Sequence, residues 1–469
     1  MRRIDWSVLI LVLGMILFAV LKLFFLFPRF SDGHIYLYTA YLITKGLLPY
    51  RDFFYSSPPL LPYVLSVWGL VAGFTWQSFT VLPILLTLVD AGILYLLARK
   101  WFSPLTASIT ALLYLFSFAV LATTDFMSDV HLVLTLILLA VLFTEWHRPL
   151  MAGVLVGIAI LAKLCAVVML APLVLFYVLV RRWHKASLVV LGCGLVLLAT
   201  SLLFWLWLGL PYFSQTILSH LGHIEGLSRW SIFLFFIQHD WLLVVGLLPA
   251  VYWYVFVGRR PPKFFLVTII CLLLFYFLYP DSYYLYWKLL IPWLALFIGW
   301  NIEIARRSFS PHRATVLSFI FLIAVGGWSV WQYLTQQAHA AVITPLNDIV
   351  HAVQLATPSH QPIYGAFELT PLVARLADRP IFDNDVDTNP KFFETNYFNL
   401  SARVAAVTAA RVPVIVTKAF IDPSGAIISG PNEVLPTNFY AQYCKPANVF
   451  PMSNDYSDNV VIVWTCKYE

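Results

Sequence analysis

Long apolar runs, broken by short polar stretches, fill the first two-thirds of this chain. An α-helix rises about 1.5 Å per residue, so roughly 20 apolar residues cross a membrane core about 30 Å thick. The pattern predicts spans near 7–27, 79–98, 104–122, 130–145, 150–164, 166–180, 187–208, 240–257, 264–280, 284–303 and 314–334. Between the runs lie short basic clusters: Arg2-Arg3, Arg99-Lys100, His147-Arg148, Arg181-Arg182, Arg259-Arg260 and Arg306-Arg307. Lys and Arg accumulate in cytoplasmic loops. With all the clusters on that side, two crossings must separate each from the next. About eleven spans satisfy this and put the N-terminus in the cytoplasm and the C-terminus outside. Residues 59–74 also read as helical, but a span there would strand Arg99-Lys100 on the outer side. Flanked by Tyr, Trp and Pro, this segment reads as a helix lying at the outer interface.

Residues 150–180 must cross twice. About fifteen residues per leg reach only some 22 Å, short of the roughly 30 Å required. The turn at Ala162-Lys163-Leu164 is therefore expected below the outer surface, where a lysine needs an anion or water.

Past residue 335 the pattern changes. Asn, Asp and Pro return. Runs rich in β-branched residues predict strands at 362–367, 412–417 and 460–466, and helical periodicity fits 344–356, 370–378 and 400–410. The organisation expected is a transmembrane domain over 1–334 and a small external α/β domain over 335–469. Cys444 and Cys466 fall in the second part. They read either as a disulfide or as two unpaired thiols in neighbouring strands.

Composition agrees with the pattern. Apolar residues make up 61% of the chain and charged residues 11%, against about 25% charged in soluble domains. Mean hydropathy is +0.82. The net charge of +6 is accounted for by the basic loops and does not point to nucleic acid. Met1-Arg2-Arg3 precedes the first run without a small-residue cleavage site, so that run reads as a retained span in the plasma (inner) membrane.

With this topology the outer loops carry the candidate chemistry. The first holds Asp32, His34, Arg51-Asp52 and Pro58-Pro59. The second holds Asp125 and Asp129, and the third is the Lys163 turn. The fourth holds His220, His223, Glu225, Arg229, His239 and Asp240. The fifth holds Asp281, Tyr283, Tyr284, Tyr286 and Lys288. A carboxylate can deprotonate an acceptor, or bind a cation that neutralises phosphate. Lys or Arg can hold a phosphate leaving group. Blander readings stand beside these. Asp32, Asp125 or Asp129 would also serve as helix caps. Arg51-Asp52 would serve as a structural ion pair, and Pro58-Pro59 as a helix start. Asp90 and His131, inside spans, read as packed polar groups. The stretch from Asp383 to Asp387 lacks the Gly and distal Glu of a calcium loop and reads as solvated.

Taken together, these residues resemble a known family. Asp32-Gly33-His34-Ile35-Tyr36, Ala40, Gly46, Pro49-Tyr50-Arg51-Asp52-Phe53 and Pro58-Pro59-Leu60 resemble the first loop of the C-superfamily membrane glycosyltransferases. The nearest likeness is to the dolichyl-phosphate-mannose protein mannosyltransferases and the bacterial aminoarabinose transferases. Phe126-Met127-Ser128-Asp129, Gly153 to Gly157 with Ala162-Lys163, and Tyr283-Tyr284-Leu285 through Pro292 continue it. The chain departs from the pattern at Gly33, where the family often has Glu, and at Ser57, where it often has Lys or His. The resemblance implies transfer of a hexosyl or pentosyl group from a polyprenyl-phosphate donor to a protein, lipid or glycan acceptor on the outer face, with inversion. It implies Asp32 and Asp129 as catalytic carboxylates and Lys163 near the donor phosphate. Because of Ser57, Arg51 and Lys288 become further phosphate candidates. His34, Asp125, Tyr283 and Tyr284 are candidates for substrate binding. No cofactor is identified; a divalent cation is left open. The other functions weighed are a lipid-linked glycan flippase, against which the lack of an internal repeat counts, and a glycan ligase or polymerase using a lipid diphosphate donor.

Overall fold

The computed structural model describes residues 6–220, 228–279, 283–338, 343, 345–421, 427–429, 434–452 and 459–468. The chain is a multi-pass α-helical membrane protein with a small C-terminal sheet. Among the described residues, five helical stretches are long and apolar enough to cross a membrane: Trp6–Phe24, Trp76–Ala98, Trp183–Leu208, Tyr284–Ser308 and Pro311–Gln337. A sixth is a broken pair, Arg229–His239 and Trp241–Phe256, bent by 82°. Shorter apolar helices include Pro104–Leu115, Pro149–Ala162, Leu164–Leu179 and Lys263–Leu278.

The long helices show apolar faces to their surroundings. Along Trp183–Leu208, Leu191, Leu195, Leu198, Leu202 and Leu206 are all exposed. In water such a stripe would be a liability; against lipid it is the expected surface. Helix contacts rely on small residues. A Cβ on Gly153 would sit 2.0 Å from the Val189 carbonyl oxygen, and one on Gly192 would sit 2.3 Å from that of Leu150. The two helices thus approach to backbone contact, as small residues permit inside membranes.

Two expected spans differ in detail. The stretch 104–122 is two helices, Pro104–Leu115 and Phe118–Thr123. The span at 240–257 is preceded by a helix set at a sharp angle to it. One residue links both breaks: the Asp240 carboxylate accepts from the amides of Phe118 at 2.7 Å and Ala119 at 2.9 Å. It thereby caps the second helix of the first pair.

By contacts, the chain forms two compact units. One comprises Met1–Phe25, Val81–Leu203 and Glu225–Thr335; the other comprises Leu26–Thr80, Phe204–Ile224 and Gln336–Glu469. In the second, five strands form one mixed sheet: β1 (Ile363–Gly365), β2 (Val414–Ile421), β3 (Ile427–Ser429), β4 (Cys444–Pro451) and β5 (Asn459–Cys466). The order is β1-β2-β5-β4, with β3 also paired to β2; only β1–β2 is parallel. Tyr364, Ile415, Ile462 and Trp464 pack with Phe439 and Tyr440 beneath it.

The predicted strands correspond to β1, β2 and β5, and the predicted helices to Leu346–Ala356, Thr370–Ala377 and Leu400–Ala409. Two strands were not predicted, β4 and the three-residue β3. β4 is an edge strand, largely exposed, with Pro446 and Pro451 in it; proline is tolerated at edges but erases the strand signal. Cys444 lies opposite Cys466 across the β4–β5 ladder, and the two are disulfide-bonded.

Candidate active site

In the first unit, three polar clusters lie among apolar helices. Asp129 begins the helix Asp129–Glu145, and Ser128 supplies its cap by accepting from Val130 N at 3.1 Å. The Asp129 carboxylate is therefore not spent on capping. It is buried and pairs with Lys163 Nζ at 2.6 Å. Lys163 is extended, φ −156°, where the helix Pro149–Ala162 gives way to the 3-10 turn Leu164–Met169. Its ammonium also sits 5.1 Å from the Tyr286 ring centre. The lysine expected to meet an anion thus meets the Asp129 carboxylate, a pairing not foreseen from the sequence.

Asp125 has a different partner. Lys22, within the first span, is ion-paired to it, donates to the Leu121 carbonyl at 2.8 Å, and lies 4.3 Å from the Tyr333 ring centre. Tyr333 Oη donates to Asp125 at 3.1 Å. Lys22 and Asp125 are both buried. The reading of outer loops passed over Lys22; a lysine inside an apolar run was itself the signal.

Lys288 is completely buried. It contacts Thr87 Oγ1 and His131 Nδ1, each at 2.6 Å, and Thr124 Oγ1 at 3.5 Å. His131 Nε2 lies 2.9 Å from the Phe126 carbonyl. A carbonyl only accepts, so Nε2 carries the proton and Nδ1 accepts from Lys288. Asp90 accepts from Thr135 at 2.6 Å and Tyr114 at 3.0 Å. Asp90 and His131 are thus members of hydrogen-bonded networks, a fact that positions in sequence did not reveal. Tyr283 is half-exposed, and Tyr284 packs edge-on against Phe235 at 4.8 Å. Arg229 donates to the Phe277 carbonyl at 2.9 Å. His223, Glu225 and Asp281 lie outside the described residues.

In the second unit, Asp32 stands at the N-cap of the helix Gly33–Thr44, but its side chain makes no capping bond. The residue is exposed. This weakens the cap reading of Asp32. His34 is buried, with Nδ1 at the Glu368 carbonyl. Burial lowers its pKa to about 4, so the ring is neutral at pH 7. Nδ1 then donates to the carbonyl and Nε2 is left as an acceptor. Glu368 in turn pairs with Lys418. Arg51 forks onto Asp52 with two contacts of 2.9 Å, and Asp52 also accepts from Leu48 N at 2.8 Å. The hydrogen bond to Arg51 holds the Asp52 pKa below the usual carboxylate range. Pro59 caps the helix Leu60–Ala72, as the sequence suggested. His220 Nε2 is 2.6 Å from the Ser56 carbonyl.

The acidic stretch is not the solvated loop expected. Asp383 is exposed, but Asp385 and Asp387 are buried. Asp385 accepts from Tyr364 Oη at 3.1 Å and pairs with Arg403 at 3.3 Å; Asp387 accepts from Ser56 Oγ at 3.3 Å. Burial raises both pKa values to about 6. Sequence shows acidity but not which residues the packing of 26–80 with 336–469 encloses. Among the described residues, no three His, Cys, Asp or Glu side chains converge as metal ligands do.

Comparison with known proteins bears out the resemblance. The dolichyl-phosphate-mannose-protein mannosyltransferase family profile matches residues 56–207. ArnT from Cupriavidus metallidurans in its apo state superposes with a TM-score of 0.66 at 15% identity, covering 98% of this chain and 97% of that one. The same protein bound to undecaprenyl phosphate gives 0.65 at 14% identity, covering 98% of each. An Archaeoglobus fulgidus oligosaccharyltransferase tethered to an acceptor peptide gives 0.55 at 11%, covering 91% of this chain and 74% of that one. The chain therefore has an ArnT-like fold. No curated protein matches it by sequence.

Proposed function

We propose that this protein is an integral-membrane glycosyltransferase that moves a sugar from a polyprenyl-phosphate donor to an acceptor at the outer face of the membrane. The observation carrying this reading is end-to-end similarity to a transferase-type fold, one of whose solved forms holds undecaprenyl phosphate. The sugar, hexosyl or pentosyl, and the acceptor, whether protein, lipid or glycan, are set by pocket residues scattered over several loops.

In the proposed step, Asp32 takes a proton from an acceptor hydroxyl or amine. The acceptor atom attacks the anomeric carbon as the bond to the phosphate oxygen breaks. Attack opposite the leaving group inverts that centre. The products are the glycosylated acceptor and free polyprenyl phosphate, with the proton on Asp32. Lys163 is the first candidate to stabilise the phosphate, because it is partly exposed while paired and can exchange a carboxylate for a phosphate. Lys288 and Arg51 are the second and third. Asp129 positions Lys163, with Asp125 the alternative carboxylate. His34, Tyr283 and Tyr284 are proposed to bind substrate, the neutral His34 as an acceptor. No step is assigned to a divalent cation, and activity is expected to survive chelation.

The proposed topology keeps the N-terminus cytoplasmic and 335–469 external. Its support is the distribution of basic clusters. Cysteines placed at Arg182 and Asp378 should label from opposite sides; labelling from the same side would overturn it. For the reaction, purified protein is incubated with polyprenyl-phosphate sugars. Acceptor-dependent release of free polyprenyl phosphate is the expected result. Movement of intact lipid across a bilayer without cleavage would instead establish a flippase.

A further inference from the structure

Within the second unit, two cations share one aromatic ring. Tyr41 lies in the helix Gly33–Thr44. The ammonium of Lys45, just past the end of that helix, sits 5.1 Å from the Tyr41 ring centre. The guanidinium of Arg375, from the helix Thr370–Ala377, sits 4.5 Å from it. The two charges are no further apart than these distances combined. Among the described residues neither meets a carboxylate. Asp378, the acid nearest to Arg375 in sequence, is exposed and joins no ion pair there. Lys45 is exposed and Arg375 half-buried. The Arg375 Nε–H is enclosed, whereas its terminal nitrogens make no bond among the described residues and stay accessible. Like charges gathered with no acid between them repel, so an anion completes the cluster.

The ring is continuous with an apolar surface. Ser66 Oγ donates to the Ala40 carbonyl at 3.1 Å, tying the helix Leu60–Ala72 to the one that bears Tyr41. Phe74, just past Leu60–Ala72, packs edge-on against Tyr41 with ring centres 5.7 Å apart. On that helix Val67, Leu70 and Val71 are 64%, 70% and 81% exposed. Its 13 residues rise only about 20 Å, too little to cross a core of about 30 Å. A short helix with an outward apolar face belongs in the membrane surface, where neighbouring cations stand at headgroup level.

We propose that Lys45 and Arg375 together clamp the phosphate of one anionic phospholipid of the surrounding bilayer, whose acyl chains lie on Val67, Leu70 and Val71. The joined surfaces select this occupant. A free phosphate would answer the cations and leave the apolar face bare. A zwitterionic lipid would cover the face but bring an ammonium toward two cations. An anionic phospholipid answers both. Among the described residues, no group assigned to the reaction bonds to or stacks on this cluster, so nothing there singles out a polyprenyl donor. The clamp takes one residue from 26–80 and one from 336–469, so the lipid fastens two distant parts of the chain. It does not depend on the reaction proposed above.

The test uses full-length protein in uncharged detergent. It is titrated with phosphatidylglycerol, phosphatidylcholine, undecaprenyl phosphate or inorganic phosphate, and read by native mass spectrometry and thermal melting. The wild type should hold one phosphatidylglycerol per chain in preference to phosphatidylcholine, and its melting midpoint should rise with that lipid. Lys45→Gln and Arg375→Gln should each weaken binding about fivefold, and together about 25-fold. Lys45→Glu supplies Arg375 with an internal anion. It should abolish the response to phosphatidylglycerol while leaving the lipid-free midpoint unchanged or higher. Lys45 is exposed, so its variants decide the case even where Arg375→Gln melts early. Undiminished binding of phosphatidylglycerol by folded Lys45→Glu would overturn the proposal. So would inorganic phosphate or undecaprenyl phosphate stabilising the wild type as much as phosphatidylglycerol does.

Discussion

The two compact units hold their candidate catalytic and phosphate-binding ions differently. In the first, the lysines and their carboxylates are buried or half-buried and already partnered: Lys22 with Asp125, Lys163 with Asp129, Lys288 with His131 and two threonines. In the second, Asp32 is exposed at a helix start it does not cap, and Arg51 and Asp52 form a pair near the surface. The difference follows from solvent. Among apolar helices an unpaired charge is prohibitively costly, so a basic group awaiting an anionic substrate is best held by a carboxylate. In its proposed role as base, Asp32 stays open to water and to an arriving acceptor.

The sharpest test of this contrast is Asp32→Asn. It keeps the size and capping capacity of the side chain and removes the base. Turnover should fall about 10²- to 10⁴-fold, with donor binding unchanged in a lipid-binding assay. Full turnover would end the assignment.

Next in size is a comparison of the two buried pairs. Lys22→Met leaves Asp125 buried without its cation and should cost about 3–5 kcal/mol in chemical unfolding. Adding Asp125→Leu should restore most of that, because removing both ions is far cheaper than removing one. Asp129→Asn should behave differently. It leaves the partly exposed Lys163, so stability should change less and turnover more. If Asp125→Asn cripples turnover in a stable protein while Asp129→Asn does not, the two carboxylates exchange roles.

Legibility followed the same divide. Apolar runs and basic clusters are long-range patterns written directly in the order of residues, so the membrane class, most helices and the main strands could be read. Pairings could not. Lys22 and Asp125 are 103 positions apart, Thr87 and Lys288 201, and nothing in either local sequence names the partner. Burial in the second unit was equally hidden: Asp383, Asp385 and Asp387 look alike in sequence, and only the fold separates one exposed acid from two enclosed ones.

Those enclosed acids give a smaller, pH-dependent effect. Asp387 has its pKa raised by burial from 3.8 to about 6. Between these values the folded state binds more protons than the unfolded one, so stability falls as pH rises through that window. At about 1.4 kcal/mol per pKa unit, the contribution is at most about 3 kcal/mol. Asp387→Asn should remove this fall and stabilise the protein at pH 7, as seen by thermal melting. His34 acts in the opposite sense. Its pKa is lowered from 6.5 to about 4, so stability is gained as pH rises from 4 to 6.5. His34→Gln should remove that gain. A variant protein with the same pH profile as wild type would show that the group in question is hydrated in solution.

The smallest effect is expected from Arg51. Its side chain is 57% exposed and its fork is already engaged by Asp52. Exposed pairs contribute little to stability, because water screens them and ordering long side chains opposes them. Arg51→Gln should therefore leave the melting temperature nearly unchanged. Its effect on catalysis ranks the basic candidates. If Lys163 carries the phosphate, Arg51→Gln should alter the donor KM far less than Lys163→Gln does, and leave kcat alone. A rise in donor KM equal to that of Lys163→Gln, with no loss of stability, would mean that Arg51 releases Asp52 when the donor binds. The first-loop arginine would then be the phosphate ligand, making up for the Ser57 that stands where the family often has a basic residue.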